Sequence, residues 1–340
     1  MYSKIISDLK AKLGKNLAIL GHHYQADEII RHTDLKGDSL ELARQIERLD
    51  AEYIVFCGVH FMAESAAIVR KDNQKIYIPD SSAGCVMANM APAELVDTIV
   101  SKILNETGRK IIPLAYVNTP AAVKAVCGKH DGSVCTSANA EKMLKWALGR
   151  GDGVLFLPDK NLALNTADKL GIPEEKRLIL DIRNKGANLD TKATTDKQLL
   201  IWPGLCAIHQ RFKLSQIEKL RKEHPDAKVI VHPECPPELV KAADGNGSTS
   251  YLIKFVAEAP LGSTIIIGTE TNLVNRLAKQ FPDKHIVPLS VSFCSNMAKV
   301  TEQKLAELLK NIETAKFEDV SDDIRVPAKV ALERMLEVCA

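Results

Sequence analysis

The same order of motifs recurs three times along this chain of 340 residues. Each repeat begins with an apolar strand that ends in polar residues, continues with a hydroxyl at the start of a helix, and closes with a strand that ends at a cysteine. The strand-end residues, hydroxyls and cysteines are, in turn, His22, Tyr116 and His232; Ser39, Ser137 and Thr249; and Cys85, Cys206 and Cys294. The hydroxyl follows the strand-end residue by 17, 21 and 17 residues. The chain is therefore expected to fold as three similar units.

The strands are predicted from short, continuous apolar runs, for example residues 17–20, 111–114 and 229–231, with helical patterns between them. Such runs are typical of parallel strands that are buried on both faces and joined by helical crossovers. The predicted fold class is α/β, with three similar three-layer α/β/α domains built on parallel sheets. Ligands bind at the carboxyl ends of such strands, so a pseudo-threefold arrangement would bring the three polar sets to one central active site.

The predicted domains are residues 1–94, 95–212 and 213–340, and the last includes C-terminal helices. The second repeat is longer than the third because of an insertion at about residues 171–197. This stretch is rich in charged residues, Asn and Thr, and we interpret it as surface decoration or a flap.

The charge balance gives little reason to expect a polyanionic partner. The chain has 45 Lys and Arg against 43 Asp and Glu, for a net charge of +2, so it lacks the basic field of a nucleic-acid or membrane surface. The N-terminal segment lacks the apolar core of a signal peptide, and no apolar run approaches the roughly 20 residues that span a bilayer. The sequence thus predicts a cytoplasmic protein that binds no nucleic acid and no membrane.

The chain has eight cysteines, and no two of them form a CxxC pair. A zinc ribbon, a thioredoxin-like motif and a ferredoxin-type run are therefore disfavoured. Cys57, Cys127, Cys135 and Cys339 are interpreted as small buried apolar residues, and Cys235 is ambiguous.

The three repeated cysteines, Cys85, Cys206 and Cys294, each follow a strand and have small residues beside them. Three thiolates suit an iron–sulfur cluster better than structural zinc, because such a zinc site takes a fourth protein ligand. A 4Fe–4S cluster held by three cysteines leaves one iron open to act as a Lewis acid.

Polar residues of the repeats supply further candidates for chemistry. His22, His209 and His232 suit proton transfer or contact with an anion, and Glu234 is a candidate general base. Ser39, Ser137 and Thr249 are predicted to be helix N-caps, where a carboxylate or phosphate also binds. Tyr24 and Tyr116 lie at strand ends as well. The chain has no GxGxxG, Walker A, GxSxG or HExxH motif, which disfavours the enzyme classes that those motifs mark.

The motif series resembles that of the quinolinate synthase family from about Lys4 to Lys310. The segments that carry the resemblance include AILGHHYQADEI, GDSLELAR, PDSSAGCVMANM, AYVNTPAAVKA, VCTSANA, WPGLCAIHQRF, VHPECPPELV and FCSNM. The resemblance implies three α/β domains around a 4Fe–4S cluster whose ligands are Cys85, Cys206 and Cys294. It also implies a reaction that joins iminoaspartate to dihydroxyacetone phosphate and yields quinolinate, phosphate and water, on the way to NAD.

The resemblance further implies which residues contact the substrates. These are His22, Tyr24, Ser39, Tyr116, Asn118, Ser137, His209, His232, Glu234 and Thr249. Tyr24, His232 and Glu234 are expected to be catalytic, with Glu234 moving protons and Tyr24 stabilising an enolate or assisting dehydration. The sequence leaves open whether an L-aspartate oxidase makes transient contact and hands over iminoaspartate directly. The oligomeric state is also open.

Three other functions compete with this interpretation. Another cluster-dependent hydro-lyase would use the open iron to dehydrate a hydroxy acid, a metal or redox carrier would need no Tyr24 or Glu234, and a zinc-binding scaffold would hold no iron. Dependence of the reaction on dihydroxyacetone phosphate separates the first from a quinolinate synthase, and an iron assay separates the last.

Overall fold

The computed structural model describes residues 1–46 and 48–340, without the side chains of residues 39, 40, 43 and 44. Within that part of the chain, helices flank three parallel sheets of four, five and four strands, which confirms the predicted α/β class. The strands are β1 (Leu17–His22), β2 (Leu35–Gly37), β3 (Tyr53–Cys57), β4 (Lys75–Tyr77), β5 (Ile111–Tyr116), β6 (Ser133–Cys135), β7 (Gly153–Leu157), β8 (Arg177–Ile179), β9 (Leu199–Ile201), β10 (Lys228–Val231), β11 (Gly245–Asn246), β12 (Thr264–Gly268) and β13 (His285–Pro288).

The helices connect these strands and continue beyond the last sheet. They are α1 (Tyr2–Leu13), α2 (Asp27–Ile30), α3 (Ser39–Ile46), α4 (His60–Val69), α5 (Ala93–Thr107), α6 (Ala121–Lys129), α7 (Ala140–Leu148), α8 (Lys160–Lys169), α9 (Leu214–Glu223), α10 (Pro237–Ala242), α11 (Thr249–Glu258), α12 (Thr271–Gln280), α13 (Glu302–Lys310) and α14 (Asp322–Val338). Among the described residues, none of these helices combines the length and the apolar composition that crossing a membrane requires.

The three sheets share one strand order. The first strand of each sheet is central and pairs in parallel with the second and third, giving the orders β2-β1-β3-β4, β6-β5-β7-β9-β8 and β11-β10-β12-β13. All six positions of β1 and of β5 are buried, as expected for strands that are covered on both faces. The carboxyl ends of the central strands therefore carry the polar residues that the sequence analysis identified.

One backbone hydrogen bond recurs in all three units and places the cysteines. The first residue of the helix after the third strand donates its N–H to the carbonyl two residues before the cysteine. The three pairs are His60 to Ala83 at 2.8 Å, Lys160 to Gly204 at 2.8 Å and Thr271 to Ser292 at 2.9 Å. Each cysteine is thus held beside the start of a helix in its own unit.

The insertion at about residues 171–197 extends the second sheet. Its strand β8 pairs in parallel with β9 at the sheet edge, while Leu180 and Leu189 are buried. Thr191 Oγ1 donates a hydrogen bond of 2.7 Å to Glu106 on α5. The insertion is therefore packed against its own unit, and the polar composition of this stretch did not predict the strand.

The apolar core unites the first two units more closely than the third. One hydrophobic cluster runs through the first and second sheets and includes side chains of α13 and α14. The third sheet has a separate cluster on each face. The C-terminal helices, which the sequence analysis grouped with the third unit, pack on the first two: α13 on α1 and α14 on α6.

Candidate functional site

The three cysteines and the polar strand ends line one cavity between the sheets. The predicted site residues on its wall are His22, Tyr24, Cys85, Tyr116, Asn118, Ser137, Cys206, His209, His232, Glu234, Thr249 and Cys294. The side chain of Ser39 lies outside the described residues. All the other predicted site residues therefore reach the same space, although they come from three separate sheets.

Each cavity cysteine begins a short turn that directs backbone N–H groups at its sulfur. A 3-10 turn starts three residues after each cysteine, at Ala88, His209 and Met297. Burial raises the pKa of the Cys85 thiol to about 12, and hydrogen bonds from the N–H groups of Ala88 and Met87 oppose that rise. Burial likewise raises the pKa of the Cys206 and Cys294 thiols, with opposing N–H groups that include those of His209 and Met297. Such N–H groups favour a thiolate once a positive centre compensates for burial.

Two buried carboxylates hold the backbone of the second and third cysteines. Asp159 caps α8 and accepts the N–H of Cys206 at 3.1 Å, and Glu270 caps α12 and accepts the N–H of Cys294 at 3.4 Å. Burial raises the pKa of both carboxyl groups, to about 7 for Glu270. In the first unit the corresponding cap is Val59, which has no such oxygen.

A chain of hydrogen bonds joins Glu234 to Tyr24 through two further side chains. Glu234 Oε2 lies 2.6 Å from His209 Nδ1, and His209 Nε2 lies 3.2 Å from Thr269 Oγ1. Thr269 Oγ1 lies 2.8 Å from the hydroxyl of Tyr24. The first, second and third units all contribute to this chain, so it exists only when the units are assembled.

The protonation of Glu234 and Tyr24 follows from their surroundings. Burial alone would raise the pKa of Glu234, but the neighbouring His209 and His232 and a hydrogen bond from Tyr116 hold it below its usual range. Burial and the charge of Glu234 raise the pKa of Tyr24 and of Tyr116 above the usual value. At neutral pH the site therefore holds an ionised carboxylate beside neutral phenols, which can donate protons or hydrogen bonds.

Two strand-end histidines adopt the same local arrangement. The backbone N–H of Tyr24 donates to His22 Nδ1 at 3.1 Å, and that of Glu234 donates to His232 Nδ1 at 3.3 Å. The ring proton of each neutral histidine must then lie on Nε2. Burial, chiefly, lowers the pKa of both histidines to about 3. Each therefore contributes a neutral N–H donor to the cavity.

The Ser137 and Thr249 hydroxyls are not the helix N-caps that the sequence analysis expected, and the Ser39 hydroxyl lies outside the described residues. Asp38 caps α3, since its Oδ1 accepts the N–H of Glu41 at 2.9 Å, and Ser248 caps α11 by accepting the N–H of Tyr251 at 3.3 Å. Ser137 precedes α7, which begins at Ala140. The prediction was wrong at α11, where the capping residue lies one position before Thr249, and at α7, which begins three residues after Ser137. Thr249 instead donates to the Tyr24 hydroxyl at 3.5 Å.

The remaining cysteines are structural. Cys57, Cys127 and Cys135 are buried as predicted, and burial raises the pKa of their thiols. Cys339, which was also predicted to be buried, is only partly buried, since it lies at the end of α14, and its thiol contacts Met143 Sδ at 3.6 Å. The ambiguous Cys235 is buried, and its thiol donates to the carbonyl of Gly268 at 3.6 Å, so it packs behind the site.

Sequence reasoning missed Thr269, Asp159 and Glu270. All three follow the third strand of their unit, at the point where a polar residue precedes a helix. That position was a usable signal in the sequence, because strand ends of this kind carry ligands. What the sequence did not contain was the partner of each side chain, since Thr269, Asp159 and Glu270 all contact residues that are distant along the chain.

One group within the site has donor atoms close enough to hold a metal ion. The ligand atoms of Cys206, His209 and Glu234 all lie within 4.8 Å of one another. A thiolate, an imidazole and a carboxylate suit zinc as well as iron, so the identity of the metal has to be measured.

The chain is similar over almost its whole length to proteins of one family. Residues 4–337 match the family model described as "Quinolinate synthetase A protein". The chain is 44% identical to the quinolinate synthase of Herpetosiphon aurantiacus over 345 aligned positions, which cover 98% of this chain and 91% of that protein. It is 45% identical to the quinolinate synthase of Streptomyces coelicolor, with coverage of 96% and 86%. The identity to the quinolinate synthase of Bacillus cereus strain B4264 is 43%, with coverage of 98% and 92%.

Proposed function

The chain belongs to the quinolinate synthetase A family, and we propose that it condenses iminoaspartate with dihydroxyacetone phosphate to form quinolinate, a step toward NAD. Phosphate and water are the other products. The observation that carries the proposal is the meeting of three cysteines and two proton-moving groups, Tyr24 and Glu234, in one cavity. A simple carrier of metal or electrons has no need of the two proton-moving groups.

The residues around the three cysteines fit a 4Fe–4S cluster. Cys85, Cys206 and Cys294 come from three separate turns that face one cavity, and backbone N–H groups are directed at each sulfur. Hydrogen bonds to the ligand sulfurs are a usual feature of such clusters. When bound, the cluster supplies an iron without a protein ligand, which can polarise an oxygen or nitrogen of the substrate as a Lewis acid.

Glu234 is proposed as the general base. The carboxylate is ionised at neutral pH, because His209 and His232 oppose the effect of burial on its pKa. It is also fixed in position by the 2.6 Å hydrogen bond with His209. The contact with His209 therefore holds the Glu234 carboxylate on the wall of the cavity, where it can accept a proton from a bound substrate.

Tyr24 is proposed as the proton or hydrogen-bond donor. Because burial and Glu234 keep its phenol neutral, Tyr24 can stabilise an enolate or assist the departure of a hydroxyl. The Tyr24 hydroxyl contacts Thr269 and Thr249, and these contacts fix its position. Tyr24 and Glu234 line the same cavity.

The remaining polar groups are proposed to bind the anionic parts of the substrates. The Nε2–H groups of His22 and His232 can donate to carboxylate oxygens, and Asn118, Ser137 and Thr249 offer uncharged donors on the same wall. Arg211 contributes a positive charge to the cavity lining. Together these groups suit substrates that carry several carboxylate and phosphate groups.

The proposal is tested by an anaerobic assay in which iminoaspartate is formed in situ from oxaloacetate and ammonia. We expect quinolinate only when dihydroxyacetone phosphate is present, and a loss of about 100-fold or more in kcat for Glu234→Gln, as for removal of a general base. Lys279→Gln, a change on an exposed part of α12, is the matched control. Consumption of a hydroxy acid without dihydroxyacetone phosphate would favour a hydro-lyase instead, and full turnover by Glu234→Gln would remove the base assignment.

A further inference from the structure

Two side chains of the third unit hold three consecutive backbone carbonyls of the first unit. Asn272 Nδ2 donates to the carbonyl of Tyr24 at 3.2 Å. Arg276 donates through Nη1 to the carbonyl of Gln25 at 3.0 Å and through Nη2 to that of His23. Arg276 is buried. We refer to Asn272 and Arg276 as the Tyr24 clamp.

The second unit holds the third unit in the same way. Asn161 Nδ2 donates to the carbonyl of Glu234 at 3.0 Å. Asn165 Nδ2 donates to the carbonyls of Pro233 and Cys235, at 2.8 and 2.9 Å. Both asparagines are buried. We refer to Asn161 and Asn165 as the Glu234 clamp.

The two clamps are equivalent by position in the fold. Each consists of the second and sixth residues of the helix that follows the third strand, α12 in one case and α8 in the other. In both, the second residue binds the middle carbonyl and the sixth binds the two flanking ones. Most other positions of these two helices differ in sequence, so the shared arrangement indicates a common purpose.

The residue that each clamp holds in the middle is one of the two proposed proton-moving groups. Tyr24 and Glu234 both lie two residues after a strand-end histidine, and that histidine accepts their backbone N–H. The N–H of each residue is therefore fixed within its own unit, and the carbonyl is fixed by the neighbouring unit. With both sides of the peptide held, the backbone that carries the reactive side chain has little freedom to rotate.

Among the residues that the structure describes, the boundary between the first and second units has no such clamp. The second and sixth residues of α4 are Phe61 and Ser65, and the Ser65 hydroxyl donates to Phe61 of its own helix. The carbonyl of Thr119, in the corresponding loop of the second unit, is bound by Lys124 of that same unit. The middle residue of this loop is Asn118, to which no proton transfer is assigned.

We propose that the Tyr24 clamp and the Glu234 clamp are positioning residues that hold Tyr24 and Glu234 in register across the unit boundaries. The proposal rests on the proposed function, since it assumes that these two residues move protons. It extends that function to four side chains outside the set that contacts the substrates. A displacement of about 1 Å in a reacting group can reduce turnover by about 100-fold, so loss of a clamp is expected to affect turnover more than binding.

The test combines hydrogen exchange of the loaded enzyme with kinetics, using Arg276→Met and Asn165→Leu. Arg276→Met is expected to accelerate exchange of the Tyr24 and Gln25 amides and to leave those of Glu234 and Cys235 unchanged. Asn165→Leu is expected to do the reverse. Each variant should lower kcat by about 10- to 100-fold with little change in KM. Arg276→Lys, which keeps the charge, should recover part of the loss.

Lys279→Gln is the control for the Tyr24 clamp, because Lys279 lies on the same helix and pairs with Asp27, the carboxylate that Arg276 also contacts. In a double-mutant cycle, Arg276→Met should have little further effect in a Tyr24→Phe background, whereas a general loss of stability would act in both backgrounds. Faster hydrogen exchange without a fall in kcat would overturn the positioning role. So would an equal fall in kcat on introducing Arg276→Met into the parent and into the Tyr24→Phe background. If the unaltered protein makes no quinolinate, the proposed function fails, and the exchange pattern still shows whether the clamps hold their loops.

Discussion

Thr269 is the residue that connects the two ends of the hydrogen-bonded chain in the cavity. Its hydroxyl lies 2.8 Å from that of Tyr24 and 3.2 Å from His209 Nε2. With the His209 ring neutral and its proton on Nδ1, Tyr24 donates to Thr269, Thr269 donates to His209 Nε2, and His209 Nδ1 donates to Glu234. A proton can therefore pass between Tyr24 and Glu234 without crossing open solvent.

Replacing Thr269 by Val tests this chain, because valine has the same shape and no hydroxyl. We expect kcat to fall by about 10- to 100-fold, at or below the lower end of the range for proton transfer by positioned groups, because Thr269 only relays the proton, and we expect the fold to stay intact. Thr269→Ser keeps the hydroxyl and should retain most of the activity. Steady-state kinetics of the two variants decide the matter, and a Thr269→Val enzyme with normal kcat would show that the proton takes another path.

The buried strand-end histidines make a pH-dependent contribution to stability. Burial, His23 and Arg276 lower the pKa of His22 from 6.5 to about 3. Between those values the unfolded chain binds the proton and the folded chain does not, so folding becomes less favourable as the pH falls. The slope for one such group is about 1.4 kcal/mol per pH unit.

His22→Asn removes this titration and keeps an acceptor for the Tyr24 N–H. The free energy of unfolding of the variant minus that of the parent is expected to rise as the pH falls from about 6.5 toward 3, because only the parent loses stability through His22. Denaturant unfolding of both proteins at a series of pH values measures this difference. The contributions of the other titrating groups, which the two proteins share, cancel in the subtraction. A difference that stays constant with pH would mean that His22 is protonated in the folded protein.

At the scale of single elements, the packing of α14 on α6 depends on one glycine. A Cβ built on Gly128 of α6 would lie 1.9 Å from the carbonyl oxygen of Pro327 in α14. Since no real Cβ atom approaches an oxygen so closely, the two helices can meet only where the side chain is absent. This contact fastens the C-terminal helix to the second unit.

Gly128→Ala is therefore expected to destabilise the protein by about 1–3 kcal/mol, as overpacking does. In an unconstrained helix the same change stabilises by about 1 kcal/mol, so the sign of the effect is diagnostic. Gly149→Ala at the end of α7 is the control, because its nearest neighbour would lie at 3.6 Å. Thermal unfolding of both variants gives the comparison, and a stabilised Gly128→Ala protein would contradict the packing of α14.

The sequence predicted elements well where local pattern decides them and poorly where assembly decides them. The apolar runs located the central strands, such as β1, β5 and β10, because burial on both faces leaves a continuous signal. The edge strand β8 has only three residues and lies within a polar insertion, so the sequence there contains no continuous apolar run. The predicted N-cap of α11 was wrong by one residue, because the cap is Ser248 and not Thr249. The sequence did not predict the two clamps, because the partners of Arg276 and Asn165 lie in another unit.

At the scale of the whole molecule, three sheets of one strand order converge on a single cavity. The first two units share a core, while the third meets the others through side chains that bind backbone carbonyls around the cavity. Each unit contributes one cysteine and one strand-end loop to the cavity wall. We propose that these three cysteines together hold one 4Fe–4S cluster.

The most direct test of that claim is the iron and sulfide content of the anaerobically purified protein, with its visible spectrum. Single alanine variants of Cys85, Cys206 and Cys294 are compared with Cys339→Ala, whose thiol contacts Met143 instead of the cavity. We predict about four irons and four sulfides per chain in the parent and in Cys339→Ala, and loss of the brown cluster in each of the other three. A colourless protein that contains zinc or no metal after reconstitution would contradict the account.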